Sequence, residues 1–430
     1  MVSRVCPICL RPSPSAAGQK IGHVLGGEAP GRQGATRGHS QPYVTEEQRR
    51  RPGWIASQNL TEILTGGTSR DREGGLGPAE PERGQEHPAC SRDLYGSASP
   101  PRLAVGIDDI ERLAIETVNR RLALTGVQRK LSLSCSGNGA DRRLTIVGAL
   151  GGSHILKPPT PEYPGMPELE HWTMVLARAS GLRTAETGLI PLASGEPAFI
   201  TRRFDRSGNA GSVPSPSRAS ELPADPAASA HDRDGSRRVH VEDLCQLSSL
   251  ATEQKYRSSM EKVGTLVRSF ATAPGDDALR LLEVTLFSFL VGNSDMHLKN
   301  WTLVRDAGRV VLSPAYDLLP VRLLVDDPEE FALPINGRKN RLQRRDFEAL
   351  AKHLKIPDIV TRRTIDDLPA RLMRALGQLP SPWVARKQAQ AFKALVERNA
   401  ARLGSGRPAG PLAIAPAGER PTSRKHRPRR

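Results

Sequence analysis

The sequence predicts an α+β protein in two parts, a strand-rich part followed by a helical part. Two observations predict this order. From about residue 130 to residue 204, short runs alternate apolar and polar residues between Gly, Pro and Asn/Asp turns, the period-2 mark of strands. After residue 240, apolar residues recur at three- and four-residue spacing through long segments, the mark of helices packed on one face. A third observation sets the borders. Residues 11–86 hold 14 Gly and 7 Pro with no sustained period, so that segment cannot bury enough apolar surface to offset its chain entropy.

Taken in order, "IDDIERLAIETVNRRLA" reads as a helix with acids in its first turn, where the helix dipole favours them. "KLSLSCSG" and "RRLTIVGAL" read as a strand pair across a Gly/Asn/Asp turn, and "SHILKPP" as a third strand stopped by proline. "PELEHWTMVLARASGL" has Pro and acid at its start and Gly near its end, as a helix should. "TGLIPLA" and "PAFITRRF" are further strands. The segments "VEDLCQLSSLA", "SSMEKVGTLVRSFA", "DDALRLLEVTLFSFLVG", "RRDFEALAKHL", "VTRRTIDDLPARLMRAL" and "ARKQAQAFKALVERNAARL" are helical in pattern. The expected organisation is therefore a Cys/His-bearing segment at 1–102 with a long disordered insertion at about 11–86, a strand-rich lobe at 103–240, an all-helical lobe at 241–404, and a disordered tail at 405–430. "WIASQNLTEIL" is a candidate short helix within the first segment. A flexible insertion at 206–238 interrupts the strand-rich lobe. The junction of the two lobes is the expected place for a site.

The net charge of +16 is unevenly placed. The tail 405–430 carries seven Lys/Arg against one acid, and 50 of the 62 basic residues are Arg. That reads as compositional bias plus a solvated tail, so contact with DNA is expected only indirectly, through phosphates. The start, "MVSRVCPICLRPSPS", has no apolar signal core, and the apolar run near 281–291 is shorter than the roughly 20 residues a bilayer needs. Five Cys in 430 residues do not make a disulfide scaffold. A cytoplasmic protein without a membrane partner is expected.

"GNSDMHLKNW" follows the longest apolar run and holds more chemistry than a turn requires. Asp295 and Asn300 are five apart, the D-x-x-x-x-N spacing of a phosphoryl-transfer loop, in which the Asp takes a hydroxyl proton and the Asn helps hold a metal ion. Phosphoryl transfer needs positioned cations and a carboxylate that orients the nucleophile. The companions occur in the order that chemistry requires. "LTGVQRK" (124–130, with Gly126 and Gln128) offers backbone amides to phosphates. Lys157 ends a strand, Glu170 opens the next helix, and Asp317 follows the hairpin read in "WTLVRDAGRVVLSPAYDLL" as strand, D-A-G turn and strand. Taken singly, Lys157 reads as a surface lysine, Glu170 as a helix-start acid, Asp317 as a turn former and His297 as a hydrogen-bonding residue.

These residues carry a resemblance. "LTGVQRKLSL", "HILKPP", "ELEHWTMVLARASGL", "FITRRFDR", "VHVEDLCQL", "GNSDMHLKN" and "PAYDLLP" resemble the HipA family of bacterial serine/threonine toxin kinases over roughly residues 103–400. The resemblance implies a two-lobed protein-kinase-like fold using ATP and Mg2+. It makes Asp295 the catalytic base, Asn300 and Asp317 the Mg2+ holders, Lys157 the phosphate lysine, and Glu242 to Leu244 the hinge backbone that holds adenine. It implies an aminoacyl-tRNA synthetase as phosphorylated target and a helix-turn-helix antitoxin as partner. The chain departs from the family at four places. Leu169 stands where Asn is common. Ala123 and Thr125 stand where a self-phosphorylated serine is expected, leaving Thr125 as the candidate. The insertion 206–238 splits two motifs. The N-terminal subdomain of full-length members is missing, which implies a separate small antitoxin resembling it. Two other functions fit the loop: a small-molecule phosphotransferase, and an inactive partner in a DNA-bound repressor complex.

Finally, "CPIC" (Cys6, Cys9) and "HPAC" (His87, Cys90) have zinc-ligand spacing, three thiols and one imidazole, although 77 residues separate the pairs. Cys135 and Cys245 lie in apolar patterns and are expected in cores.

Overall fold

The structure is a computed structural model describing Cys9 and residues 87–110, 130–137, 141–147, 151–207, 237–306, 308–327 and 329–404. The expectations for 11–86, 405–430, nearly all of 206–238, "WIASQNLTEIL", Ala123, Thr125, Gly126, Gln128 and Cys6 lie outside these residues.

Helix α1, Pro88–Tyr95, precedes strand β1, Arg102–Leu103. Then come β2, Leu131–Ser136, β3, Arg143–Val147, and β4, His154–Lys157. Helix α2, Met166–Ala179, precedes β5, Thr187–Pro191, and β6, Pro197–Arg202. These strands form one sheet in the order β1-β3-β2-β4-β6-β5, antiparallel throughout except for the parallel β1–β3 pair. Register sets the faces: Leu156 pairs with Ile200 and Lys157 with Phe199. Since neighbouring side chains point to opposite faces, Leu156 enters a small core with Leu94, Tyr95 and Ile200, while Lys157 and Phe199 face the other way.

A two-stranded pair, β7, Arg206–Ser207, and β8, Arg237–Arg238, brackets the expected insertion. The helical part is not all helix. Strand β9, His240–Asp243, pairs antiparallel with β10, Thr302–Asp306, which pairs with β11, Arg309–Leu312. "VEDLCQLSSLA", expected as one helix, therefore begins as the end of a strand and continues as a short helix α3, Leu244–Leu247. Asp243 is its N-cap, in a reciprocal capping box with Gln246. Its periodicity alone could not show this, because the strand exists through pairing with a segment about sixty residues on.

The remaining helices match their patterns: α4, Met260–Phe270; α5, Pro274–Val291; α6, Arg344–His353; α7, Asp358–Gln378; and α8, Arg386–Arg402. Helix α5 is the axis of the larger core. It starts at proline with Asp276 and Asp277 in its first turn, and it buries Leu281, Leu282, Leu286, Phe287 and Leu290 completely. A helix apolar on nearly every side belongs inside, and α4, α6, α7 and α8 surround it. Each fully buried Leu or Phe contributes roughly 1.5–3 kcal/mol relative to exposure. Helix α2 packs on β5 and β6 and also on α7, so it joins the sheet to the helices. Among the described residues, no helix is long and apolar enough to cross a membrane.

Candidate active site

Helix α5 must stop abruptly for the site to form. Gly292 does this in the left-handed conformation (φ 72°), with its N–H donated to Phe289 O, and the Asn293 N–H donated to Ser288 O. The buried turn that follows places Asp295 at its surface. The His297 N–H donates to Asn300 Oδ1 at 3.1 Å, and the Asn300 N–H returns to His297 O at 3.0 Å. The loop is thus closed on itself, with Asp295 and Asn300 fixed relative to each other. The Asp295 carboxylate is half exposed. It accepts a hydrogen bond from the Tyr256 hydroxyl at 2.7 Å, and His297 Nε2 lies 3.9 Å from its other oxygen. Burial together with that hydrogen bond raises the Tyr256 hydroxyl well above its ordinary range, so it stays a donor. Burial pulls His297 down, against the pull of Asp295.

The second group comes from three elements. Lys157 ends β4, its ammonium 2.5 Å from Glu170 Oε1 of α2 and 2.6 Å from Asp317 Oδ1. Lys130 reaches Asp317 Oδ2 at 3.2 Å. Glu170 and Lys157 are almost completely buried, whereas 27% of the Asp317 side chain is exposed. The charges explain the titration. Burial alone would neutralise Lys157, but Asp317 and Glu170 outweigh it and hold the ammonium charged. Burial alone would raise Asp317, but Lys130 and Lys157 hold it well below the usual carboxylate range. Glu170 is raised, because burial and the nearby Asp317 charge outweigh the opposing pull of Lys157.

Asp317 has φ 54°, a left-handed conformation uncommon for residues with a side chain, although Asp adopts it more readily than most. Asn293 Nδ2 donates to Asp317 O at 3.2 Å, tying the residue to the turn that carries Asp295. The Tyr316 hydroxyl donates to Lys299 O at 2.6 Å, and Lys299 Nζ bonds Asp243 Oδ2 at 2.9 Å. The loop, the Asp317 segment and the β9–α3 junction therefore form one polar network.

The structure brings together Lys157, Glu170 and Asp317, and separately ties Asp295 and Asn300 to the His297 backbone. Glu242 sits in β9 opposite Leu303. The Leu244 amide departs from the expected hinge role: it donates to Trp301 O at 2.8 Å and is committed within the chain. Of "LTGVQRK", only Lys130 is described, and it points at Asp317. Sequence reasoning missed Lys130, Tyr256, Asn293, Lys299 and Tyr316 as site residues. Lys130, Asn293, Lys299 and Tyr316 lie inside motifs already quoted, so position within a motif was an available signal. Tyr256 carried none.

A lysine–glutamate pair on a sheet and the following helix, an Asp/Asn loop after a buried helix, and a later aspartate are the parts of the kinase class of fold. The HipA-like C-terminal domain family matches residues 122–376, and the chain belongs to it. It is 30% identical over 267 residues to Y4mE of Sinorhizobium fredii, provisionally named a kinase, covering 60% of this chain and 57% of that protein. It is 23% identical over 275 residues to the serine/threonine-protein kinase toxin HipA of Shewanella oneidensis, covering 60% of this chain and 57% of that one. The alignments span 50% to 59% of the length of the curated relatives that match. The solved HipA of Shewanella oneidensis MR-1, in complex with HipB and operator DNA, shares the fold with TM-score 0.52 at 21% identity, over 69% of this chain and 71% of that one.

Proposed function

We propose that the protein is an ATP-dependent serine/threonine protein kinase of the HipA type, with two lobes meeting at the site. The observation that carries this reading is the convergence of Lys157, Glu170 and Asp317 in one chain of ion pairs, from positions as much as 160 residues apart. A buried lysine held charged between two carboxylates is costly to build. It is useful where a phosphate will take one of the carboxylates' places.

In this reading Glu170 keeps Lys157 charged and aimed, and Lys157 receives the nucleotide's phosphates. Asp295 accepts the proton of the attacking hydroxyl, with Tyr256 and His297 fixing the direction of its carboxylate. Asn300 and Asp317 offer a carboxamide and a carboxylate oxygen, donors that suit Mg2+, which when bound neutralises charge on the transferred phosphoryl group. Adenine lies along Glu242–Leu244, with the Leu244 amide excluded from its hydrogen bonds. Lys130, bonded to Asp317, is the described end of the segment whose Gly126 and Gln128 amides are the candidate phosphate binders, and Thr125 is the candidate for self-phosphorylation.

The family's example supports an aminoacyl-tRNA synthetase as the phosphorylated target, with arrested translation as the consequence. The solved relative's complex supports a helix-turn-helix antitoxin as partner and DNA contact through that partner. A separate small antitoxin resembling the family's N-terminal subdomain is the second partner in this reading. Purified protein incubated with ATP labelled on its γ-phosphate and a bacterial lysate separates the readings. Label on a protein band supports the proposal. Label on small molecules supports a small-molecule phosphotransferase. No transfer supports an inactive repressor partner.

A further inference from the structure

We propose that Cys9, His87 and Cys90 are ligands of one structural zinc ion that fastens the N-terminal segment to the sheet. The three come together although Cys9 and His87 are 78 positions apart. Cys9 Sγ is 3.1 Å and Cys90 Sγ 3.9 Å from the same atom, His87 Nδ1, and all three ligand atoms lie within 4.8 Å of one another. A tetrahedral zinc with bonds of about 2.3 Å to sulfur and about 2.0 Å to nitrogen separates S from N by about 3.5 Å. The two measured separations bracket that value. The convergence on Nδ1 identifies it as the ligating nitrogen, so in the zinc-bound state the proton sits on Nε2. Two soft sulfurs and an imidazole select zinc over the hard cations suited to the phosphoryl site. The sequence offers Cys6, at C-x-x-C spacing, as the fourth ligand.

The surroundings say what the ion would hold. His87 and Cys90 begin α1, and Cys9 and Cys90 pack against the small core on the face of β4 opposite Lys157. The end of α1 is already bound to the sheet by its carbonyls. The Asp93 oxygen accepts from Arg202, the Leu94 oxygen from His154 Nε2 and the Tyr95 oxygen from Arg142. Among the described residues, no side-chain hydrogen bond caps the start of α1. Zinc would fix that start and tie a segment distant in sequence to it. Binding to a site assembled from distant segments adds directly to folding stability. The ion would therefore brace the strand that ends in Lys157 from behind.

The test is metal content of the full-length protein, purified under reducing conditions without chelator. About one equivalent of zinc is expected, with His87→Ala and Cys90→Ser each reduced to a small fraction and His87→Cys restored to near one equivalent. Releasing zinc with a thiol-directed mercurial should lower the melting temperature of the wild type but leave that of Cys90→Ser unchanged. The proposal fails if the wild type holds no zinc and takes up none when reduced protein is given Zn2+. It also fails if Cys90→Ser keeps a full equivalent, or if thiol titration of non-reduced protein shows Cys9 and Cys90 joined in a disulfide. None of these outcomes depends on kinase activity, so this proposal and the functional one fail separately.

Discussion

Asp317 and Lys157 show how little of a residue's role its own position in sequence reveals. Each alone reads as a turn former or a surface lysine, yet the fold makes each the other's partner at 2.6 Å. What was legible was the order of the five parts. What was not legible was the distance between them, nor the network of Lys130, Tyr256, Asn293 and Lys299, which arises only when the segments are folded together. Replacing Lys157→Met leaves Glu170 as a buried carboxylate without its cation. Breaking such a pair costs about 3–5 kcal/mol, so a large drop in melting temperature should accompany lost activity. An unchanged melting temperature would show that the pair is not buried in solution. Asp295→Asn should abolish transfer with a melting temperature near wild type, since that carboxylate is half exposed. A second carboxylate gives a pH prediction. Glu168, buried in the first turn of α2, is pushed up from 4.5 to about 7 by burial, and its Oε2 has no hydrogen-bond partner among the described residues. Between those values the folded state binds more protons than the unfolded one, so this residue makes stability fall as pH rises from 4.5 to 7. Glu168→Gln should remove that loss, gaining on the order of 2–3 kcal/mol at pH 8 and little at pH 4. Equal effects at both pH values, measured by denaturant unfolding, would refute this.

Elements were the most legible level, because periodicity and end signals are local. The described strands at 131–136, 143–147, 154–157, 187–191 and 197–202, and every long helix after residue 258, fall where the pattern placed them. Strand β9 did not, since His240–Asp243 is extended through pairing with β10 and not through its own alternation. Packing within elements was likewise hidden. Gly264 in α4 reads as a poor helix residue, and Ala there should help by about 1 kcal/mol on propensity alone. In the fold, a Cβ at that position would collide with the buried Leu354 side chain. Gly264→Ala should therefore destabilise by about 1–3 kcal/mol, the cost of overpacking. An increase in melting temperature would mean that α4 and Leu354 separate easily. Gly292 differs, because there the left-handed backbone opposes a side chain, and so does Leu395, which lies 2.7 Å from where a Cβ would stand. Gly292→Ala should cost stability and also slow phosphotransfer, since it displaces the turn that carries Asp295.

At the scale of the whole molecule, the α+β class, the order of its parts and the β10–β11 hairpin were readable from the pattern, whereas the strand order β1-β3-β2-β4-β6-β5 and the addition of β9 to that hairpin were not. Strand order is decided by which edges bury most surface together, a competition that no local window contains. In the proposed reading, the arrangement lets residues spread from Lys130 to Asp317 act as one site. The sheet supplies the cations, α5 delivers the loop, and α2 binds one to the other. The sequence of residues 405–430, with six net positive charges and no apolar period, predicts a tail outside that site, so its deletion should leave phosphotransfer unchanged and weaken only salt-sensitive DNA association of a complex. The central claim is that the Lys157–Asp317 group and the Asp295 loop together transfer phosphate from ATP to a protein hydroxyl. Its most direct measurement is transfer of label from γ-labelled ATP to serine or threonine of lysate proteins, comparing wild type with Asp295→Asn and Asp317→Asn at equal folded concentration. The expected result is labelled phosphoserine or phosphothreonine with the wild type and a loss of at least about a hundredfold with either variant, as follows from removal of a general base or a metal-holding carboxylate. Wild-type protein that binds ATP yet labels nothing, or an Asp317→Asn variant that labels as well as wild type, would contradict it.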